Sequence, residues 1–343
     1  LVLLSAILFS AVLVAFIPKF SILLTQGSAT EVFSGNAGIY FRLLGLATIP
    51  NLMNAFLASL LTAEGRPKTP VILNCVSIFT VIILFLFSKK SIEDFCFATL
   101  IGIYLEGILL WMATKKMGFP NLFPFVPAPK LLTPFLKQSS FFLGGAALAY
   151  SSDFVDRSMA ASLGSGSVSA IAYGSKITQL ALSILVTGLS AYLLPYFSKL
   201  HSEGEFLRLK EEFLSFEKKI FLLSVLITSL IIWVSPLVLR LLFERGSFAH
   251  SDTLSVSEFQ ILFALQIPFY MTGMMSVWII NARQDNHLLA WIGASSFFVN
   301  ILGNYFLMKF MGIKGIALAT SLVYLLSFLL VRFFALRKFS PSK

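Results

Sequence analysis

The chain has 343 residues, of which 57% are hydrophobic and 12% charged, and its net charge is +10. A soluble domain carries about a quarter charged residues, so this composition excludes a globule covered by water: most of the surface has to face lipid. The positive balance is accounted for by Lys and Arg in the loops on one face of a membrane, and nucleic acid is not an expected partner.

A helix needs about 20 apolar residues to cross the hydrocarbon core. Ten stretches meet that requirement: roughly 1–18, 37–62, 70–88, 95–114, 138–161, 168–196, 219–242, 258–281, 288–309 and 314–336. They are long and continuously apolar rather than alternating, which favours helices over barrel strands. The expected fold class is all-α, a polytopic membrane protein of about ten transmembrane helices with no soluble domain of any size.

The first stretch starts at Leu1 without a charged region before it or a small-residue cleavage site after it, so it does not read as a signal peptide. The missing initiator Met suggests a piece of something longer. The second stretch carries Arg42 about one turn in from its outer end and Pro50 further along. Arg42 has two readings, snorkelling to the interface or contact with a substrate. Gly65-Arg66-Pro67 marks the turn into the third stretch. Cys75 and Cys96 sit in the third and fourth stretches, form no CxxC, and read as small core residues. Glu106 lies in the middle of the fourth stretch among Gly102, Tyr104 and Gly107, either as a proton or cation relay or as a hydrogen-bonded packing residue.

The fifth stretch ends in Asp153, Asp156 and Arg157. Asp153 and Arg157 are i,i+4 and can pair along one helix face; the group is either a structural ion pair or a gate at the outer side. The loop Gly164-Ser165-Gly166-Ser167 is flexible enough to let two helix ends separate. Lys176 follows about two turns into the sixth stretch, where an ionisable group calls for a partner or a function. Between 199 and 218, Phe206, Leu209, Phe213 and Phe216 recur every three or four residues among charges, the pattern of a short helix lying on the inner membrane surface. Pro50, Pro195, Pro236 and Pro268 are expected to kink their helices, as static bends or as hinges. His201, His250 and His287 fall at loops, with no metal spacing and no nucleophile–base arrangement, so neither catalytic residues nor metal ligands are expected and no cofactor is implied.

With ten spans, one side holds the loops at 63–69, 115–137, 197–219 and 282–287 and the C-terminal tail, and it carries about twice as many Lys and Arg as the other. That side is expected to be cytoplasmic, with both termini inside.

The chain also repeats itself. Leu3-Leu4-Ser5 matches Leu222-Leu223-Ser224, Gly27-Ser28 matches Gly246-Ser247, Ile49-Pro50 matches Ile267-Pro268, and Ala98-Thr99 matches Ala319-Thr320, all at a lag of 218–221. An even number of helices separates the copies, so the repeat is parallel, about an axis along the membrane normal. The expected organisation is an N-lobe over 1–117 with four helices, a cytoplasmic linker over 118–137, and a six-helix C-lobe over 138–338. The first lobe would be incomplete, short of two helices in roughly 70–85 residues before Leu1. Two six-helix lobes around a cleft is the plan of an alternating-access transporter rather than of an enzyme.

The run from Asp156-Arg157-Ser158-Met159-Ala160-Ala161-Ser162 to Tyr173-Gly174-Ser175-Lys176, the stretch Leu194-Pro195-Tyr196-Phe197-Ser198, and Leu242-Phe243-Glu244-Arg245-Gly246-Ser247-Phe248 carry a resemblance. Together with Leu61-Thr62-Ala63-Glu64-Gly65-Arg66-Pro67 they are similar to the MurJ/MviN family of bacterial lipid II flippases. That family lies within the multidrug/oligosaccharidyl-lipid/polysaccharide exporter superfamily. The resemblance covers the family's third to twelfth helices; the first two, which carry cavity arginines there, and the thirteenth and fourteenth have no counterpart in these residues. It implies a flippase that moves lipid II, a precursor on undecaprenyl pyrophosphate, across the bacterial cytoplasmic (inner) membrane for peptidoglycan synthesis. It also implies a monomer embedded in membrane lipid. Lys176 matches a cavity arginine of the family; with Arg157, Asp156, Asp153, Arg42 and Glu106, read above as ionisable groups within the spans, it makes up the candidate cavity set. The alternatives are a flippase for another polyprenyl-linked glycan, a cation-coupled multidrug exporter of the same superfamily, and a membrane scaffold that transports nothing.

Overall fold

The computed structural model describes residues 46–118, 148 and 151–337, apart from the single positions 67, 90, 165, 247 and 284. The expected spans at 1–18 and at the start of 37–62, all of the linker 118–137 but Gly118, and the first half of 138–161 apart from residue 148 fall outside the described residues. The chain divides into two compact units, Leu1–Ala128 and Pro129–Lys343.

In the first unit three helices follow one another: α1 (Thr48–Ala63), α2 (Lys68–Leu86) and α3 (Ile92–Lys115). The start of α3 is set by a capping box, in which Ser91 Oγ accepts from the Asp94 amide at 3.1 Å and Asp94 returns the bond to the Ser91 amide at 3.2 Å. Small residues let α2 and α3 approach: a Cβ at Gly102 would lie 2.5 Å from Val81 Cγ2. Leu57, Leu61 and Leu110 form the core between α1 and α3. The outer faces of α2 and α3 expose Ile72, Phe79, Ile83, Phe87 and Ile101. Such a surface is stable only in hydrocarbon.

The second unit holds a helix over 151–161 (α4), then α5 (Ser167–Ser202), α6 (Phe206–Phe243), α7 (His250–Ala264), α8 (Ile267–Ala282), α9 (Asn286–Met311) and α10 (Ile313–Arg337). Its centre is α7–α8. Buried residues make up 72% of the most apolar window there, against 6% for α2, which marks it as the helix wrapped by the others. Ile267, Met271, Met275, Trp278 and Ile279 of α8 pack against Leu193 and Phe197 of α5 and Leu209 and Phe213 of α6. Pro268 has no N–H to offer the carbonyl four residues back, and the helix breaks at Leu265-Gln266. Ser321 Oγ of α10 donates to the Leu262 carbonyl beside this break at 2.6 Å.

Among the described residues seven helices are long and apolar enough to cross a membrane, with α7 and α8 together counted as one. The chain is an all-helical polytopic membrane protein. Two local expectations are corrected. The amphipathic stretch is the first three turns of α6 itself and not a separate surface helix. Leu209 and Phe213 are completely buried in the protein core, so its apolar stripe faces α5 and α8 and not the bilayer surface. The α5–α6 connection is correspondingly short, through Gly204. Of the cysteines, Cys96 is buried, but Cys75 is exposed on α2, because that helix turns most of its circumference outward.

Candidate functional site

α4 is built with two polar faces. On one, Arg157 and Asp153 pair at 2.8 Å, one turn apart and both roughly half exposed. On the other, Asp156 is 4% exposed and points between α9 and α10. Its Oδ1 accepts from Asn300 Nδ2 at 3.0 Å and Asn304 Nδ2 at 2.6 Å, and its Oδ2 accepts from Thr320 Oγ1 at 2.9 Å. The three residues grouped by sequence therefore separate into a half-exposed ion pair and a buried hub. Asn300 and Asn304 are not among the sequence expectations above, although two amides one turn apart in an apolar helix are a recognisable signal.

The hub ties α4 to α9 and α10 with charge-assisted bonds. Asn300, Asn304 and Asp156 are all buried. The Asn304 Oδ1 has no protein partner. Among the described residues no group of three His, Cys, Asp or Glu side chains could hold a metal.

Lys176 lies on α5, about 14 Å along the helix from its start at 1.5 Å per residue. Its side chain is exposed, on a face shared with Tyr173 and Leu180, and it has no ion pair among the described residues. Gly166, at φ 85°, is the residue before the first turn of α5 and lets the chain reverse there at no steric cost. Tyr173 packs against Phe243 and Phe248, with ring centroids 4.9 and 5.5 Å away.

Glu106 belongs to the first unit. Its Oε1 accepts from Asn74 Nδ2 at 3.2 Å, across from α3 to α2. One turn away Asn54 Nδ2 donates to the Ile103 carbonyl at 3.0 Å, and the Asn54 Oδ1 is buried without a partner. Arg42 lies outside the described residues.

Charges at the two ends of the second unit pair off. At one end Lys314 meets Glu258 at 2.6 Å, and Glu244 meets Arg240 at 3.8 Å, His250 at 3.3 Å and Thr253 at 3.0 Å. Burial pushes the Glu244 carboxyl up, but the bonds from Thr253 and His250 and the charges of His250 and Arg240 outweigh it and hold the group below its usual range. At the other end Glu217, buried, meets Arg332 at 2.7 Å, and Arg283 donates to the Ala335 carbonyl at 3.0 Å.

These observations meet the known proteins as follows. A family model described as "Lipid II flippase MurJ" matches residues 1–342. A protein of Helicobacter pylori strain J99 described as "Probable lipid II flippase MurJ" is 33% identical over 210 residues, 59% of this chain and 44% of its own length. A protein of Rickettsia prowazekii with the same description is 27% identical over 277 residues, 79% of this chain and 53% of its own. The chain thus spans about half the length of the curated relatives it matches. In three dimensions it is similar to a lipid II flippase MurJ in an inward closed conformation. The TM-score is 0.76 at 21% identity, covering 96% of this chain and 69% of that one. It is also similar to an inward-facing multidrug transporter of the MATE family, with TM-score 0.79 at 15% identity, covering 98% and 79%. At these identities the structures speak for the fold alone, and the family match over residues 1–342 carries the assignment: the chain belongs to the lipid II flippase MurJ family of membrane transporters.

Proposed function

We propose that this chain forms part of a flippase that carries the lipid-linked peptidoglycan precursor lipid II across the bacterial cytoplasmic membrane by alternating access, without covalent chemistry. In this reading the chain comprises lobes over 1–117 and 138–338 joined by the linker 118–137, and alternating access exposes a headgroup-binding cavity first to the cytoplasmic side. The polyprenyl tail stays in lipid. Family membership supports the substrate class. The observation that carries the residue assignment is Lys176, an exposed cation within the span of α5 that has no ion pair among the described residues. A charge at that depth costs a few kcal/mol, and a substrate pyrophosphate is the compensation we assign to it. A lysine gives a point charge here, without the two-pronged fit of an arginine.

In this reading Arg157 and Asp153 guard the outer side, Asp156 holds α4 in place, and Arg42 and Glu106 serve the first lobe. Both termini lie in the cytoplasm and the protein works as a monomer. The membrane potential biases the cycle by about 2.3 kcal/mol per charge moved through 100 mV. The test is Lys176→Ala, assayed for binding of lipid II by the purified protein and for translocation in vesicles. Loss of one charge-assisted contact weakens binding about tenfold or more. Unchanged binding and translocation would remove Lys176 from the cavity.

A further inference from the structure

A cation serves a cavity only if its helix is held in one rotation, and the ring contacts of Tyr173 with Phe243 and Phe248 on the exposed face of α5 do not supply a directional hold. The opposite face does. Gly174 and Thr178 each lie two residues from Lys176, about 200° around the helix. Thr178 is completely buried and its Oγ1 accepts from Gln260 Nε2 of α7 at 2.7 Å; Gln260 is completely buried as well. One turn before, a Cβ at Gly174 would come 3.0 Å from the Cβ of Phe259, the neighbour of Gln260. A glycine and a polar pair, one turn apart, lock α5 onto α7.

We infer that Gln260, Thr178 and Gly174 form a rotational latch that presents Lys176 to the cavity, which makes Gln260 a positioning residue for substrate binding. This rests on the reading of Lys176 given above. The physics is that of register. A slip of α5 by one residue would turn it about 100°, bring Tyr173 or Ser175 against Phe259, and take from the buried Gln260 amide, whose Oε1 has no partner, the Thr178 bond of its Nε2, at the cost of a further unpaired polar group in an apolar interior. Buried polar pairs of this kind are well attested as devices that select one register among several apolar packings. Ile171, Ser175 and Leu182 are buried on the same face of α5, within about 60° of Thr178; their burial is non-directional, and the Thr178–Gln260 bond adds the directional contact that fixes the rotation.

Two readouts on the full chain in nanodiscs test the latch. The first is binding of lipid II bearing a fluorescent headgroup. Gln260→Leu is expected to weaken it several-fold, Thr178→Ser to restore the parent value by keeping the hydroxyl, and Thr178→Val to match Gln260→Leu. In the Lys176→Ala background Gln260→Leu is expected to add nothing, since both act through one contact. Losses that multiply, or no loss from Gln260→Leu, overturn the proposal. The second readout is the labelling rate of Lys176→Cys relative to Ser175→Cys by an impermeant thiol reagent, with Cys75 and Cys96 replaced. The parent strongly favours position 176, and Gln260→Leu or Thr178→Val shrinks that preference; an unchanged ratio overturns the latch. If Lys176→Ala leaves binding intact, the cavity reading fails while the labelling ratio still decides the latch. If Gln260→Leu does not fold, Thr178→Val takes its place in both readouts.

Discussion

A carboxylate buried among apolar helices costs several kcal/mol unless its oxygens are occupied, and Asp156 has three donors on its two oxygens. Deleting it strands those donors. Asp156→Ala is expected to cost about 3 kcal/mol, read as a lower unfolding temperature in detergent, with α4 the first element released. Asp153→Ala, which breaks only a half-exposed pair, is expected to cost about 0.5 kcal/mol or less. Equal melting of the two variants would refute the distinction. At this scale the sequence marks ionisable residues well, because charge in an apolar run stands out. It does not say which way they point. Asp156 and Arg157 are neighbours, yet one faces the core and the other is half exposed. The partners Asn300, Asn304 and Thr320 come from helices more than 140 residues away, and no local pattern links them to Asp156.

Helices themselves were legible, since apolar length and the turn glycines Gly65, Gly164 and Gly246 bracket them. Their breaks were not. Pro195 and Pro236 sit inside unbroken helices, whereas Pro268 coincides with the gap between α7 and α8. A lost N–H is the same in all three, and the surroundings decide: beside Pro268 a neighbouring hydroxyl, Ser321, takes up a carbonyl of α7. The amphipathic start of α6 misled for a related reason. Periodicity reports one apolar face, and it cannot tell a bilayer surface from the flank of α5 and α8. The turn from α6 to α7 makes a prediction of its own. Glu244 is held below its usual carboxylate range and bridges Arg240, His250 and Thr253. A depressed acid contributes stability above its unfolded pKa and loses it as the pH falls through the lower folded value. The hydrogen-exchange protection factors of amides 244–253 are therefore expected to fall on acidification below the ordinary carboxylate range, and Glu244→Gln is expected to show low protection already at neutral pH. Identical exchange in parent and variant at neutral pH would show that the bridge holds nothing.

At the level of the whole molecule the remaining question is which way the helices cross the membrane. Short turns put the α5–α6 and α8–α9 connections and the end of α10 at one end of the second unit, and the α6–α7 and α9–α10 connections at the other. The first end carries Lys199, Arg208, Lys210, Arg283, Arg332 and Arg337 and the second Arg240, Arg245, Lys309 and Lys314. Several of these are neutralised locally: Arg208 by Glu205, Arg332 by Glu217, and at the other end Arg240 by Glu244 and Lys314 by Glu258. Insertion counts Lys and Arg near the helix ends and gives little weight to their acidic neighbours, so these pairs do not cancel the bias and the first end is expected to face the cytoplasm. Single cysteines decide it, with Cys75 and Cys96 replaced. Glu203→Cys, in the α5–α6 turn, is expected to react with an impermeant thiol reagent in inside-out vesicles and stay silent in intact spheroplasts. Ser251→Cys, at the start of α7, is expected to do the reverse. Because an even number of crossings separates helices that share an orientation, the same pair of residues also fixes the expected sides of every connection in the unit. A silent Glu203→Cys with a reactive Ser251→Cys in inside-out vesicles would invert the molecule.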